Sequence, residues 1–166
     1  MSLEVIVLHI FIVLIGISLG SFCTALAWRV SNGMPWAFNQ HKTSGTRPVR
    51  SQCIKCNHEL SVLDLIPLLS WLFNKGRCRY CKEAIGIRYP IIELLNVILV
   101  YVLFLSYGLN IYSFFLILTV PFLVALLVID LETYLLPNQL MLISFVLFLS
   151  ALVSQITLQP ELSFLI

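Results

Sequence analysis

The sequence IYSFFLILTVPFLVALLVI, residues 111–129, contains no charged side chain and is followed directly by Asp130. A helix of about 20 residues crosses the roughly 30 Å hydrocarbon core of a bilayer, so this run is long enough to span one. Three other apolar runs have comparable length: residues 5–27, 91–107 and 140–158. Of the 166 residues in the chain, 60% are hydrophobic and only 11% are charged, which is typical of membrane proteins. We therefore predict an all-α polytopic membrane protein with about four transmembrane helices.

The basic residues are confined to one part of the chain. All ten Lys and Arg residues lie within residues 29–88, together with the three acids Glu59, Asp64 and Glu83, so the local excess is ten minus three, or seven positive charges. Basic loops between apolar spans remain on the cytoplasmic side of a membrane. We predict a cytoplasmic loop, with the N- and C-termini outside and with membrane lipid as a partner. A nucleic-acid-binding patch is the disfavoured alternative, and no nucleic-acid partner is expected.

Three parts of the chain follow from this pattern. Residues 1–28 are predicted to form transmembrane helix 1, residues 29–90 a cytoplasmic zinc-binding domain (the cysteine loop), and residues 91–166 a membrane region with helices 2–4. The first apolar run has no basic residue before it and is too long for the apolar part of a signal peptide, so we interpret it as a retained helix. Within the cysteine loop, residues 65–73 are too short to span and are expected to lie against the membrane surface.

Four of the five cysteines form two Cys-x-x-Cys pairs, Cys53 with Cys56 and Cys78 with Cys81, separated by 21 residues. Two such pairs present four thiolates to one tetrahedral ion, as in structural zinc sites. We predict that these cysteines bind a structural Zn²⁺, which cross-links a loop with too few apolar side chains for a large core. Redox-active or unliganded thiols are the alternatives, and a reducing compartment disfavours disulfides.

Three other residues with ligand-type side chains receive no such function. His58 could replace one thiolate, but with four cysteines present we interpret it as a surface histidine. Cys23 lies in the first apolar run and is interpreted as a small packing residue. His9 lies in the same run, and the sequence indicates no partner for it.

Asp130 is the carboxylate of greatest interest because it ends an apolar helix. There it meets the negative end of the helix dipole, so its position costs free energy. Carboxylates at membrane depth often mark a pathway, a pair or a reacting site. An ordinary interfacial acid, with Glu132 nearby, is the alternative. Glu93 is expected to pair with Arg88 at the start of helix 2, and Asn96 to hydrogen-bond toward a neighbouring helix.

The succession of short motifs along residues 16–137 resembles the prepilin leader peptidases of type IV pilus, type II secretion and competence systems. Each motif alone is weak, and the specificity lies in their order. They are Gly16-x-x-x-Gly20-Ser21-Phe22, Arg50-Ser51-x-Cys53-x-x-Cys56, Asp64-x-Ile66-Pro67-Leu68-Leu69-Ser70-Trp71-Leu72, Gly76-Arg77-Cys78-Arg79-x-Cys81, Arg88-Tyr89-Pro90-x-x-Glu93-Leu94, and Ile129-Asp130-Leu131 with Leu135-Leu136-Pro137.

The resemblance implies a membrane aspartic endopeptidase in the bacterial cytoplasmic (inner) membrane. Such enzymes cleave the short basic leader of type IV prepilins or pseudopilins, and many then methylate the new N-terminus with S-adenosylmethionine. By the same resemblance, Asp130 matches the first of two catalytic aspartates. The four cysteines match the family's zinc-binding loop, and Gly76 matches a glycine associated with the methylation step.

The sequence departs from the family because it lacks the later Gly-x-Gly-Asp motif that carries the second catalytic aspartate. Glu161 is its only acid after Glu132, and it is expected on the outer side. We therefore expect an N-terminal part of a peptidase, weak or inactive alone. A non-catalytic membrane zinc module that binds pilin-like proteins is the alternative. A complete pair of acids would arise from a dimer with two Asp130 side chains or from a partner that carries the missing C-terminal half.

Overall fold

A computed structural model of the chain describes residues 2–33, 53, 55–59, 61, 64 and 67–158. These residues contain five helices: α1 (Leu3–Ser31), α2 (Leu69–Phe73), α3 (Arg88–Tyr107), α4 (Ile111–Thr133) and α5 (Asn138–Leu158). All except α2 are long and apolar enough to cross a membrane. No β-strand occurs in the described part of the chain, where Arg77 and Ala84 form an isolated bridge. The predicted all-α polytopic membrane fold is confirmed.

The four long helices agree closely with the four apolar runs, and they extend into polar sequence at the end that bears the cysteine loop. At this loop end, α1 ends at Ser31, α3 begins at Arg88 and α4 ends at Thr133. Asp130 therefore lies within the last turn of α4. The helix stops at Tyr134, which adopts the left-handed conformation and donates its N–H to the Asp130 carbonyl at 2.9 Å.

Helix α4 is the central element of the bundle, since it packs against α1, α3 and α5. Its buried side chains, which include Val124, Ala125 and Ile129, contribute to a core shared with Ile12 of α1 and Val100 of α3. The outward faces of the helices carry exposed apolar side chains, as expected for contact with lipid. The fold therefore positions Asp130 at the end of the most enclosed helix.

Helices α1 and α3 approach closely through two glycines. A Cβ on Gly16 would lie 2.9 Å from the Val97 Cα, and one on Gly20 would lie 2.8 Å from the Glu93 Cα. Small residues four positions apart allow such backbone contacts between membrane helices, where van der Waals packing and hydrogen bonds drive association. The first glycine motif of the sequence thus has a direct packing role.

The connections in the membrane region are short. Gly108 adopts φ +68° between α3 and α4, and Asn110 caps α4 through a reciprocal pair of hydrogen bonds with Ser113. The Pro137 carbonyl accepts the N–H of Leu140 at the start of α5. These contacts explain why the apolar runs 91–107, 111–129 and 140–158 form separate antiparallel helices.

Two predictions concern residues outside the described part of the chain. Glu161, expected on the outer side, lies there, as do residues 65 and 66 of the segment expected at the membrane surface. The boundaries 1–28, 29–90 and 91–166 stay predictions.

Candidate functional site

The side chains of the four loop cysteines converge on one point. Their sulfur atoms all lie within 4.8 Å of one another, and none of these cysteines forms a disulfide. The Sγ atoms of Cys53 and Cys81 are 3.8 Å apart. A tetrahedral ion with Zn–S bonds of about 2.3 Å would separate its sulfur ligands by about 3.8 Å. Cys53, Cys56, Cys78 and Cys81 are therefore arranged to hold a metal ion, and we refer to them as the four-cysteine cluster.

The described residues of the two Cys-x-x-Cys segments share a backbone hydrogen bond and a positive φ at equivalent positions. Cys53 donates its N–H to the His58 carbonyl at 3.0 Å, and Cys78 donates to the Glu83 carbonyl at 2.8 Å. In each segment the residue after the second cysteine has a positive φ, 54° at Asn57 and 59° at Lys82. Each turn thus directs the two sulfur atoms of its cysteine pair toward the centre of the four-cysteine cluster. Sequence spacing predicted the pairs, but not this shared backbone conformation.

The thiols of the cluster differ in acidity. Backbone N–H groups of Cys56 and Lys55 lower the pKa of the Cys53 thiol to about 7. The Glu83 amide favours ionisation of Cys81, but desolvation and the three neighbouring thiols outweigh it and raise the pKa of Cys81 to about 12. Without a cation the cluster therefore does not carry four thiolates at neutral pH. A bound divalent cation favours the thiolate forms, because thiols that coordinate a metal ion are deprotonated.

Gly76 has a structural reason to be glycine. It has φ +68°, and a Cβ at this position would lie 2.9 Å from the Cζ2 atom of Trp71. The Trp71 indole donates its N–H to the Ile85 carbonyl at 3.2 Å, and Ile85 donates to the Gly76 carbonyl at 2.7 Å. Gly76 is thus buried and covered by the indole, two residues before Cys78.

Asp64 has its partners within the cysteine loop. Its carboxylate accepts hydrogen bonds from the Ser61 hydroxyl at 2.7 Å and from the Tyr80 hydroxyl at 3.2 Å. The Ser61 hydroxyl lowers the pKa of the Asp64 carboxyl, with smaller contributions from Tyr80 and Arg79. His58 is exposed and stacks on Tyr80, with 3.7 Å between the ring centroids, outside the four-cysteine cluster. These contacts agree with a surface position for His58.

The predicted ion pair between Arg88 and Glu93 is wrong. Glu93 is only 8% exposed, and its carboxylate accepts the backbone N–H of Leu68 at 2.7 Å. Arg88 forms instead a two-point ion pair with Glu132 at the end of α4. The Ser31 hydroxyl donates to the same carboxylate at 3.1 Å, so the ends of α1, α3 and α4 meet at Glu132.

Asp130 lies two residues before this junction. Its side chain is half-buried, and none of the described residues forms a hydrogen bond or ion pair with its carboxylate. No hydrogen bond or ion pair within the described ranges links Asp130 to the four-cysteine cluster. The carboxylate of Glu132 is occupied by Arg88, which leaves Asp130 as the unpaired acid at the end of α4.

Two further polar residues lie between α1 and α3. The Nδ1 atom of His9 is 2.9 Å from the Tyr101 hydroxyl, a partner that the sequence did not reveal because the two residues are 92 positions apart. Asn96 is fully buried against α1 beside Gly20, as expected from its position, but its amide donates to Ile92 within its own helix at 2.9 Å. Cys23 is completely buried, which agrees with a packing role.

Comparison with known proteins shows the family to which the chain belongs. The family model described as the Bacterial Peptidase A24 N-terminal domain matches residues 14–107, more than half of the chain. The chain is 47% identical over 91 residues to the prepilin leader peptidase/N-methyltransferase of Aeromonas salmonicida (strain A449), covering 55% of this chain and 31% of that protein. It is 35% identical over 128 residues to the protein of the same name from Myxococcus xanthus (strain DK1622), covering 77% of this chain and 35% of that protein.

A third relative with this name, from Pseudomonas putida, is 30% identical over 141 residues, covering 77% of this chain and 49% of that protein. The matched part of the chain thus covers less than half of the length of each of these three relatives, from 31% to 49%. No solved structure matches.

Proposed function

Because the chain belongs to the family of the bacterial peptidase A24 N-terminal domain, we propose that it takes part in the processing of type IV prepilins or pseudopilins. The reaction is removal of the leader peptide, with methylation of the new N-terminal residue. The observation that carries this proposal is the unpaired, half-buried Asp130 at the end of α4, on the same end of the bundle as the cysteine loop. The names of the relatives support the substrate and both activities.

The proposed location is the bacterial cytoplasmic (inner) membrane, with the cysteine loop inside and both termini outside. The concentration of all ten basic residues in residues 29–88 supports this orientation. Asp130 then lies at the cytoplasmic boundary of the membrane. A pilin-like precursor has its basic leader in the cytoplasm and an apolar segment in the bilayer, so its cleavage site would be at the same depth.

The proposed peptidase chemistry needs two carboxylates. When two such groups lie close together they do not both ionise, so one holds a proton while the other accepts a proton from the attacking water. Asp130 is free to serve as one of them. Glu132 is a poor second acid because Arg88 binds both of its oxygens. We therefore propose that the second acid comes from beyond the described residues, either from a companion segment or from Asp130 of a second copy.

The proposed role of the four-cysteine cluster is to bind Zn²⁺ as a structural cross-link. Zinc with four thiolate ligands is closed to substrate, since no coordination position remains open. The cation would join the two Cys-x-x-Cys turns and so hold a loop that contains few buried side chains. The chain's own contribution is the pair of matching turns and the backbone N–H groups that favour the thiolate of Cys53.

For the methylation step we propose that Gly76 is a positioning residue. It is covered by Trp71, so a direct contact with S-adenosylmethionine is not what requires a glycine here. Its positive φ and its contact with the indole shape the turn that leads into Cys78. The surface that receives S-adenosylmethionine would then depend on Gly76 through the shape of the loop.

The test is incubation of native membranes that contain the full chain with a prepilin, so that any companion that supplies the second acid is present, with removal of the leader followed by a shift in mass. The chain contains two aspartates, so Asp130→Asn has a matched control in Asp64→Asn. We expect Asp130→Asn to abolish leader removal, and Asp64→Asn to retain it. Equal cleavage by the wild-type chain and Asp130→Asn would contradict the role of Asp130.

A second candidate function is a non-catalytic membrane zinc module that binds pilin-like proteins. It is favoured by one observation: within the described ranges, no second acid forms a hydrogen bond with Asp130, and the nearby Glu132 is held by Arg88. This function predicts that the precursor co-purifies with the chain and keeps its leader. It also predicts that Asp130→Asn retains the same amount of bound precursor as the wild-type chain.

A further inference from the structure

Helix α2 begins beside α3, one of the helices that are long and apolar enough to cross a membrane. Glu93 lies five residues after the first residue of α3, which is about 7.5 Å along the helix axis at 1.5 Å per residue. Its carboxylate accepts the N–H of Leu68, the residue that precedes α2, at 2.7 Å. The neighbouring side chains of Ile91 and Leu94 on α3 are 55% and 50% exposed and apolar, as on a surface in contact with lipid. The contact with Glu93 therefore holds the start of α2 beside the boundary of the bilayer.

Helix α2 has an apolar face that no described residue covers. Leu69, Leu72 and Phe73 are 48%, 65% and 79% exposed. In water such a cluster would be unfavourable, since exposed apolar surface is driven toward an apolar environment. Next to the bilayer boundary the same side chains can enter the acyl region.

The residues that follow α2 are basic. Between residues 69 and 82 there are four basic side chains, Lys75, Arg77, Arg79 and Lys82, and no acid. Lys75, Arg77 and Lys82 line a common cleft with Phe73. A surface that combines exposed apolar side chains with Lys and Arg is the pattern that binds anionic membrane surfaces.

We propose that this face, formed by Leu72, Phe73, Lys75, Arg77 and Lys82 (the lipid-docking face), binds anionic phospholipid. The apolar side chains enter the acyl boundary, while the basic side chains contact headgroup phosphates in the cleft. A second function of the cysteine loop is therefore membrane attachment, at a depth set by the contact between Glu93 and Leu68. The positive charge of the face disfavours the basic leader of a prepilin as its occupant.

Hydrogen–deuterium exchange of the full chain in nanodiscs tests this proposal. One set contains phosphatidylcholine alone, and the other contains phosphatidylcholine with phosphatidylglycerol. We expect residues 69–77 to exchange more slowly when phosphatidylglycerol is present. The double variant Lys75→Asn/Arg77→Gln should lose this added protection, with asparagine chosen because it tolerates the positive φ of position 75. Lys55→Gln, a basic side chain on the first Cys-x-x-Cys turn, is the matched control and should keep it.

Replacement of the apolar side chains tests their contribution separately from that of the basic side chains. Leu72→Ser/Phe73→Ser should speed exchange of residues 69–77 in both kinds of nanodisc, while protection of α3 and α4 stays unchanged. Equal exchange of residues 69–77 in both nanodiscs for the wild-type chain would overturn the proposal. Protection that appears only when a prepilin is added would also overturn it and would assign the face to peptide. Neither result depends on cleavage, so the proposed peptidase function is tested separately.

Discussion

Replacement of Gly76 by alanine is expected to destabilise the cysteine loop and to weaken the Zn²⁺ binding that we propose for it. At φ +68°, a residue with a Cβ costs roughly 1–2 kcal/mol more than glycine. The new Cβ would also lie 2.9 Å from Cζ2 and 3.0 Å from Cε2 of Trp71, and overpacking of this kind costs about 1–3 kcal/mol. Alanine recovers about 0.4–1 kcal/mol by restricting the unfolded chain, so the net loss is about 1–4.5 kcal/mol.

Because metal binding and folding of such a loop are coupled, this free energy should appear in the apparent zinc affinity. At about 1.4 kcal/mol for each factor of ten, Gly76→Ala should bind zinc roughly 5- to 1,600-fold more weakly. Competition with a chromophoric chelator measures this on the full chain in detergent. Gly86→Ala is the matched control, since nothing lies within 4 Å of a Cβ placed there. Equal zinc affinities for the two variants would refute the assigned role of Gly76.

Three other predictions concern contacts between the helices and within the cysteine loop. Arg88→Met and Glu132→Gln should each destabilise the bundle by about 1–2 kcal/mol, because this two-point ion pair is partly shielded, with side chains 39% and 29% exposed. In a double-mutant cycle followed by denaturant unfolding, a coupling energy near zero would contradict this pairing. Gly20→Ile should force α1 and α3 apart and cost about 2 kcal/mol or more, whereas Ser18→Ile, on an exposed position of the same helix, should be neutral in the same assay. Asp64 has a pKa lowered by a neighbouring serine hydroxyl, so its carboxylate contributes stability above about pH 4 that is lost as the pH falls through the folded pKa. The stability difference between the wild-type chain and Asp64→Asn should therefore shrink below about pH 4, and a difference independent of pH would rule out this contribution.

The features that sequence predicted well are those set by local composition. The run 111–129 contains no charge, so its length alone indicated a spanning helix, and α4 covers all of it. The spacing of Cys53, Cys56, Cys78 and Cys81 indicated a common ligand set, and their sulfurs do converge. The first prediction depends only on the composition of one segment. The second depends only on a cysteine spacing that is typical of a shared metal ion.

The features that sequence missed depend on which helices are neighbours. Arg88 was paired with Glu93 because the two are close in sequence, but its partner Glu132 is 44 positions away on α4. Glu93 instead accepts the N–H of Leu68, the residue that precedes α2 and whose N–H therefore lies outside that helix. The Gly16-x-x-x-Gly20 pattern was the one signal that could have identified the α1–α3 contact in advance.

The role that we propose for Asp130 in precursor processing is tested most directly by the N-terminal mass of the pilin-like protein in the native membrane. Any companion that supplies a second acid is present there. Cells in which the wild-type chain is replaced by Asp130→Asn should accumulate precursor with an intact leader, while cells carrying Asp64→Asn should contain mature protein. Mature protein at the wild-type level in the Asp130→Asn cells would contradict the account.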